Sequence, residues 1–483
     1  MKKSLIAAVL LFVLSAAGLI TAGAQVARTQ DDVHLTETVL AGDPSETDDL
    51  TAVLHAECEQ KLSWDTTMTS GRKTETDFAF RPRGLEWNRS GGRELNSYIE
   101  FYTWRTGLQS NEDIKLPEPL FGPLNKILTD VADSFPAGQE SSRRVRVAEY
   151  FEYFPLFANF WLSGINEIHY DDGRNFDRLS DQGKEVFQFA EDLGAAFRFP
   201  VPEDYELLIT MDKDADGKIY DINLDLPEDG ACGDAFWCST ADSEDYIYFV
   251  VSASFTHRMS DGEYTNQSMD YSHTPNGFGI YRLPRVERPL TMEDLEFVMP
   301  LDEENQEVEI FCPDQEYERL FLILREKGTR RLLVLSPEDG SVLQEFPLWT
   351  PKKDEWVGFL MEDDFVLLQN GENEFKLYSQ EESGDYQHCF DGRIPTDLFP
   401  GDPWTYDVSM CFDGNRLALA RGNRPEGFRY DSFCGMDLLI LDRTGVLYAG
   451  TFESSLDRGK VPDTYEDRDI SPAQVPIILN WNR

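Results

Sequence analysis

Trp404 to Phe452 constrains the fold of this chain more than any other stretch. It reads WTYDVSMCFDGNRLALARGNRPEGFRYDSFCGMDLLILDRTGVLYAGTF. Met410 to Phe412 runs into Asp413-Gly414-Asn415, and Arg416 to Ala420 alternates through Leu417 and Leu419. Leu438 to Leu441 runs into Asp442-Arg443-Thr444-Gly445, and Val446 to Tyr448 follows. Apolar runs this short, closed by Gly- and Asp-bearing turns, are strands joined as hairpins. Four in succession make one antiparallel sheet.

The unit recurs upstream. LLVLSPEDGSVL from Leu332 lies beside LLILDRTGVLY from Leu438, each an apolar strand, a Gly turn and a resumed Val-Leu. Matched strands end at Leu283, Leu335, Tyr378 and Leu441, and the last interval holds an insertion from Gly422 to Gly435. Spacings of about 40 to 50 residues with four strands each are those of propeller blades. Asn370-Gly371 supplies a tight hairpin turn, and Glu338-Asp339-Gly340 and Asp413-Gly414 do similar work. MCFDGNRLALA resembles the strand, Asp-Gly, strand signature of exported β-propeller repeat proteins and, more distantly, that of WD-repeat propellers. The resemblance covers Asp242 to Phe452, lacks the Gly-His and Trp-Asp dipeptides of WD repeats, and carries no functional residue across. It implies an all-β, β-propeller-like array of four-stranded antiparallel blades, six to eight in number. A β-sandwich is the alternative for the same strands. Pro476 to Trp481 reads as a closing strand near the first blade.

The N-terminal half is less regular. Thr51 to His55 and Tyr98 to Trp104 alternate as strands, and Leu124 to Ala132 suits a short helix after Pro117, Pro119 and Pro123. Ser180 to Phe197 is the clearest helix, capped by Ser180, with Val186, Phe189, Ala190, Leu193 and Phe197 on one stripe. It reads as an insertion near 180–197. Val145 to Leu162 is dense in aromatics, which suits core packing before a sugar-binding platform.

Met1-Lys2-Lys3 precedes an uncharged run, Ser4 to Ala24. Residues 1–24 therefore read as a signal peptide ending in Ala22-Gly23-Ala24 or as an N-terminal membrane anchor, with the body outside. The expected location is the cell membrane through residues 4–24, or secretion. Residues 25–49 read as a flexible acidic linker, and 50–483 as the folded domain.

The chain has 483 residues, 44 basic and 89 acidic, for a net charge of −45. That field repels nucleic acid. Its seven cysteines are too few for a disulfide scaffold, although Cys232 and Cys238 are close enough to form one small loop. Cys312, Cys389 and Cys411 sit in or beside apolar runs, as small buried hydrophobes do. The six histidines show no metal-ligand spacing, and no nucleophile elbow, phosphate loop or Cys-x-x-Cys is present.

The sharpest local motif is Asp212-Lys213-Asp214-Ala215-Asp216-Gly217. Asp212, Asp214 and Asp216 alternate as calcium ligands do, but Asn223 stands where an EF-hand needs Glu. Leu207 to Thr210 and Ile219 to Ile222 flank it as strands, so a plain hairpin turn is the other reading. Two functions stay open. One is a non-catalytic, membrane-tethered or released binding protein whose partner is an extracellular protein, peptide or glycan, with calcium-dependent adhesion as a variant. The other is a secreted hydrolase acting on glycans through paired carboxylates.

Overall fold

The computed structural model describes residues 12–18, 20–21, 23–24, 28, 33–58, 62–69, 73–80, 97–103, 108–116, 119–163, 166–168, 176, 178–225, 234–258, 264–314, 318–350, 352, 355–362, 364–399, 408–423, 435–455 and 477–482. Among these residues the chain forms seven antiparallel sheets, six of them with four or five strands. The fold is all-β and propeller-like. The chain divides into two compact units, 1–91 with 353–483, and 92–352.

The first unit carries three sheets. β21 (Val357–Glu362), β22 (Phe365–Asn370), β23 (Glu374–Gln380) and β24 (Tyr386–Arg393) form a meander in chain order. So do β25 (Val408–Phe412), β26 (Leu417–Asn423), β27 (Gly435–Asp442) and β28 (Gly445–Ser454). Leu367, Phe375, Leu377, Leu417, Leu419, Leu439 and Ala449 pack these sheets into one core. The third sheet joins β2 (Leu50–Cys58), β3 (Leu62–Thr69) and β4 (Lys73–Phe80) to the C-terminal strand β29 (Ile477–Trp481). The closing strand expected from Pro476 to Trp481 is thus present, with Leu50 opposite Trp481 and Leu54 opposite Ile477.

Residues 25–49 do not form a linker throughout. β1 (Leu35–Gly42) is a fifth strand on β28, Leu35 opposite Ser454 and Gly42 opposite Tyr448. A 3-10 turn over Pro44–Thr47 follows, capped by Asp43. LTETVLAG looks polar because β1 is an edge strand with most side chains in solvent. Of Ser4 to Ala24, residues 4–11, 19 and 22 lie outside the described residues, and those described are helical. No helix of the described residues is long and apolar enough to cross a membrane.

The second unit carries four sheets over one core. β17 (Gln306–Pro313), β18 (Leu320–Glu326), β19 (Thr329–Leu335) and β20 (Val342–Pro347) run in order. β12 (Asp234–Asp242), β13 (Tyr246–Arg258), β15 (Gly279–Pro284) and β16 (Glu296–Pro300) do likewise, with β14 (Tyr264–Ser268) paired on the long end of β13. The matched strands of the repeat, ending near Leu283, Leu335, Tyr378 and Leu441, are β15, β19, β23 and β27. Each is the third strand of its sheet.

The remaining two sheets interleave. β5 (Tyr98–Tyr102) pairs with β8 (Phe157–Ser163), which pairs with β9 (Asn166–Ile168). The other sheet has the order β6 (Leu108–Ile114), β11 (Ile219–Asp225), β10 (Glu206–Lys213), β7 (Glu140–Arg146). Two helices fill the excursions, α1 (Asn125–Ser134) and α2 (Asp181–Ala196). Ser180 caps α2 by accepting from the Gly183 amide at 3.0 Å. Val186, Phe189, Ala190 and Leu193 are buried, as their spacing predicts.

Two turn expectations separate. Gly414 takes φ +100 and Gly340 φ +70, as their hairpins require. In the Asn370-Gly371 turn, however, the left-handed residue is Asn373 at φ +64. Asn370 instead organises the turn, its Oδ1 accepting from the Glu372 and Glu374 amides at 3.0 Å.

Candidate functional site: an aromatic cleft beside α2

The site is built on a second stripe of α2. Phe187, Glu191 and Ala195 recur at four-residue spacing, next to the stripe that enters the core. Facing them are Tyr153 to Phe157, which lead into β8. Thr103 after β5 and Gly122-Pro123 before α1 complete the wall. The helix approaches this wall closely because Gly194 has no side chain. A Cβ there would stand 2.2 Å from the Leu156 carbonyl oxygen.

The cleft has a volume of about 390 Å³, within the range of small-molecule sites. Aromatic edges set its shape. Phe157 lies 5.1 Å from Phe187, Phe154 lies 5.3 Å from Tyr205, and Phe101 lies 5.1 Å from Phe197. The last two pairs are edge-to-face and the first is tilted, arrangements that fix the rings against one another. Of the aromatic run Tyr150 to Trp161, Phe154, Phe157 and Phe160 are buried, as core packing predicts. Tyr153, Phe154 and Phe157 also line the cleft.

Two charged residues lie at the rim of the cleft. Among the described lining residues Glu191 is the one acid and Arg198 the one base, and both are exposed. Arg198 lies over the Tyr153 ring at 6.0 Å and donates Nε to the Ala195 carbonyl at 3.4 Å. Burial raises the Glu191 carboxyl above its ordinary pKa, and the Asp192 charge adds to the rise. The His273 ring also packs edge-to-face with Tyr153, at 5.4 Å.

The motif over Asp212 to Gly217 lies elsewhere, at the β10–β11 turn. Asp214 Oδ1 accepts from the Asp216 and Lys218 amides, both at 2.9 Å, and Gly217 takes φ +82. That carboxylate shapes the hairpin. Asp212 accepts from the Tyr220 phenol, and Asp216 is exposed at the tip. Among the described residues no group of three or more His, Cys, Asp or Glu side chains is placed to hold a metal ion. Lys213 turns inward and donates to the Ala132 and Phe135 carbonyls at the end of α1. Cys238, Cys312, Cys389 and Cys411 are free thiols, and Cys232 lies outside the described residues.

A polar cleft in the first unit, about 690 Å³, is lined by Val33, Asp65, Thr67, Glu75 and Asp77 among others. Asp65 stands opposite Asp77 across β3 and β4, and Thr67 stands opposite Glu75.

No protein-family model matches the chain, and neither does any curated protein. Solved structures with similarity to parts of it include three propellers or enzymes of low identity. The periplasmic gluconolactonase of Pseudomonas aeruginosa is 12% identical over 53% of this chain and 78% of its own, with a TM-score of 0.23. The β-propeller domain of Swd1 from Myceliophteria thermophila is 8% identical over 51% and 81%, TM-score 0.23. The WD40 domain of SCAP from fission yeast is 7% identical over 87% and 75%, TM-score 0.21. The fold stated above rests on the sheets themselves.

Proposed function

We propose that the chain is an exported, non-catalytic binding protein, tethered or released through residues 4–24, and that its ligand site is the cleft beside α2. The observation that carries this reading is the cleft's composition. Aromatic walls carry two charged groups at their rim, which is how sites that orient a ligand are made. Lys2, Lys3 and the uncharged run after them support export.

Ala195 is exposed and lines the cleft, so Ala195→Trp fills it from the helix surface. The dye 1-anilinonaphthalene-8-sulfonate serves as probe. The native protein is expected to bind it, and Ala195→Trp to weaken binding at least tenfold at an unchanged melting temperature. Equal dye binding by both proteins would remove the cleft from consideration.

One observation favours the second reading, a glycan hydrolase. Asp65 and Asp77 face each other in the polar cleft of the first unit, and directly opposed strand residues sit within carboxylate-pair distance. Release of nitrophenol from a panel of nitrophenyl glycosides, lost in Asp65→Asn and in Asp77→Asn, would establish it.

A further inference from the structure

Asn-Gly occurs twice in this chain, at Asn276-Gly277 and at Asn370-Gly371. In this dipeptide the backbone nitrogen after the asparagine has no side-chain bulk beside it, because glycine lacks a Cβ. That nitrogen can reach the asparagine Cγ and close a five-membered ring, which makes such asparagines chemically labile. The fold treats the two sites in opposite ways.

Asn370 is buried, and both ends of its side-chain amide are tied. Oδ1 accepts from the Glu372 and Glu374 amides at 3.0 Å, and Nδ2 donates to Glu374 Oε2 at 3.0 Å. All three bonds oppose rotation of Cγ toward the Gly371 nitrogen. Asn276 stands in the loop between β14 and β15. It is exposed and takes φ +63, and among the described residues its side chain has no hydrogen-bond partner. The Gly277 amide reaches the Thr274 carbonyl only at 3.5 Å, which is long for such a bond. The space that a Cβ on Gly277 would enter is open.

We infer that Asn276 is a site of spontaneous deamidation, with water as the only co-reactant, and that the turn at Asn370 is protected from it. The Gly277 nitrogen attacks Asn276 Cγ. A C–N bond forms, and the Cγ–Nδ2 bond breaks as ammonia leaves with the Gly277 proton. Water then opens the cyclic imide at either carbonyl. Opening at Cγ leaves aspartate. Opening at the main-chain carbonyl leaves isoaspartate, with the chain rerouted through Cβ and Cγ. Nothing is oxidised or reduced, and each event adds one carboxylate. The rerouting falls on a buried anchor, because the Tyr281 hydroxyl is shared between the Pro275 and Gly277 carbonyls on either side of Asn276.

The test ages the full chain in warm, mildly alkaline buffer and follows both peptides by mass spectrometry, with isoaspartate read by enzymatic carboxyl methylation. Asn276 is expected to convert about tenfold faster than Asn370 or more, since breaking two hydrogen bonds on the way to a transition state slows a step by about that factor. In the urea-unfolded chain the two rates should converge. Asn276→Gly keeps the left-handed turn, and it should remove the isoaspartate signal and the fall in melting temperature that ageing brings to the native protein. Equal rates in the folded chain overturn the inference, as does faster conversion at Asn370. So does an Asn276 that converts only when the chain is unfolded. Equal melting temperatures for aged native protein and aged Asn276→Gly overturn the link to Tyr281.

Discussion

Arg285 is the residue on which the second unit's interior polar contacts converge. It pairs with Asp242, both side chains about a tenth exposed or less. It also donates to Ser97 Oγ at 2.7 Å, to the Leu162 carbonyl at 2.5 Å and to the Ser243 carbonyl at 3.0 Å. It thus ties β15's end to β8, to β12 and to the approach to β5. Burial nevertheless raises the Asp242 carboxyl above its ordinary pKa, with Arg285 opposing the rise. Desolvation thus offsets part of the attraction between the two charges. Arg285→Met should cost about 3–5 kcal/mol in urea unfolding, because it strands a buried carboxylate. Adding Asp242→Leu should return part of that loss. Asp294 gives a pH-dependent counterpart. Arg288 grips its carboxylate at 2.5 and 2.8 Å, and the Thr291 amide adds a bond at 2.8 Å, lowering its pKa to about 2. A carboxyl depressed in the folded state stabilises it above the unfolded value near 3.8. That contribution falls as pH drops toward about 2. Unfolding followed from about pH 5 to about pH 3 should show a shallower decline in Asp294→Asn than in the native protein.

At the scale of elements, Arg416 and Trp481 tie β29 and the turn before β2 to the sheet of β25 to β28. Arg416, at the β25–β26 turn, pairs with Asp413, Asp49 and Glu46 and lies 4.1 Å over the Trp481 ring. Trp481 donates Nε1 to the Cys411 carbonyl, and Asn482 donates its amide to the Asp49 carbonyl. Along β29 the side chains alternate: Ile477 and Leu479 are buried, and Ile478 is 41% exposed. Ile477→Ala should cost about 2–5 kcal/mol, and Ile478→Ser less than about 0.5 kcal/mol, both read by thermal and urea unfolding. This strand could be read in the sequence because PIILNW is short, apolar and terminal. So could β15, β17 to β23 and β25 to β28, whose alternation and Gly turns are local signals. β1 could not, because an edge strand in solvent carries a linker's composition. In the sheet of β6, β11, β10 and β7 only the β10–β11 hairpin could be read. The other pairs join residues about 60 to 115 positions apart, and no local periodicity encodes such a pairing. The cleft was half visible. Phe187, Glu191 and Ala195 form a regular stripe, but a stripe with a carboxylate at its centre reads as a solvent face until the opposing wall is known.

At the scale of the whole molecule, charge is the dominant fact. A net charge of −45 opposes compaction through self-repulsion. Screening shortens the reach of that repulsion from about 30 Å at 0.01 M salt to about 8 Å at 0.15 M. The melting temperature should therefore rise over that range of sodium chloride, and a flat response in calorimetry would show that local pairs such as those of Arg416 already offset the repulsion. Two strand pairings distant in sequence add a constraint in time. β1 completes the sheet of β25 to β28, and β29 completes the sheet of β2 to β4. Such long-range pairing is slow to form. The sheet of β2 to β4 and the sheet of β25 to β28 thus each keep an open edge until a strand from more than 350 residues away in the sequence has docked, and that edge is where a misplaced strand of another copy could add.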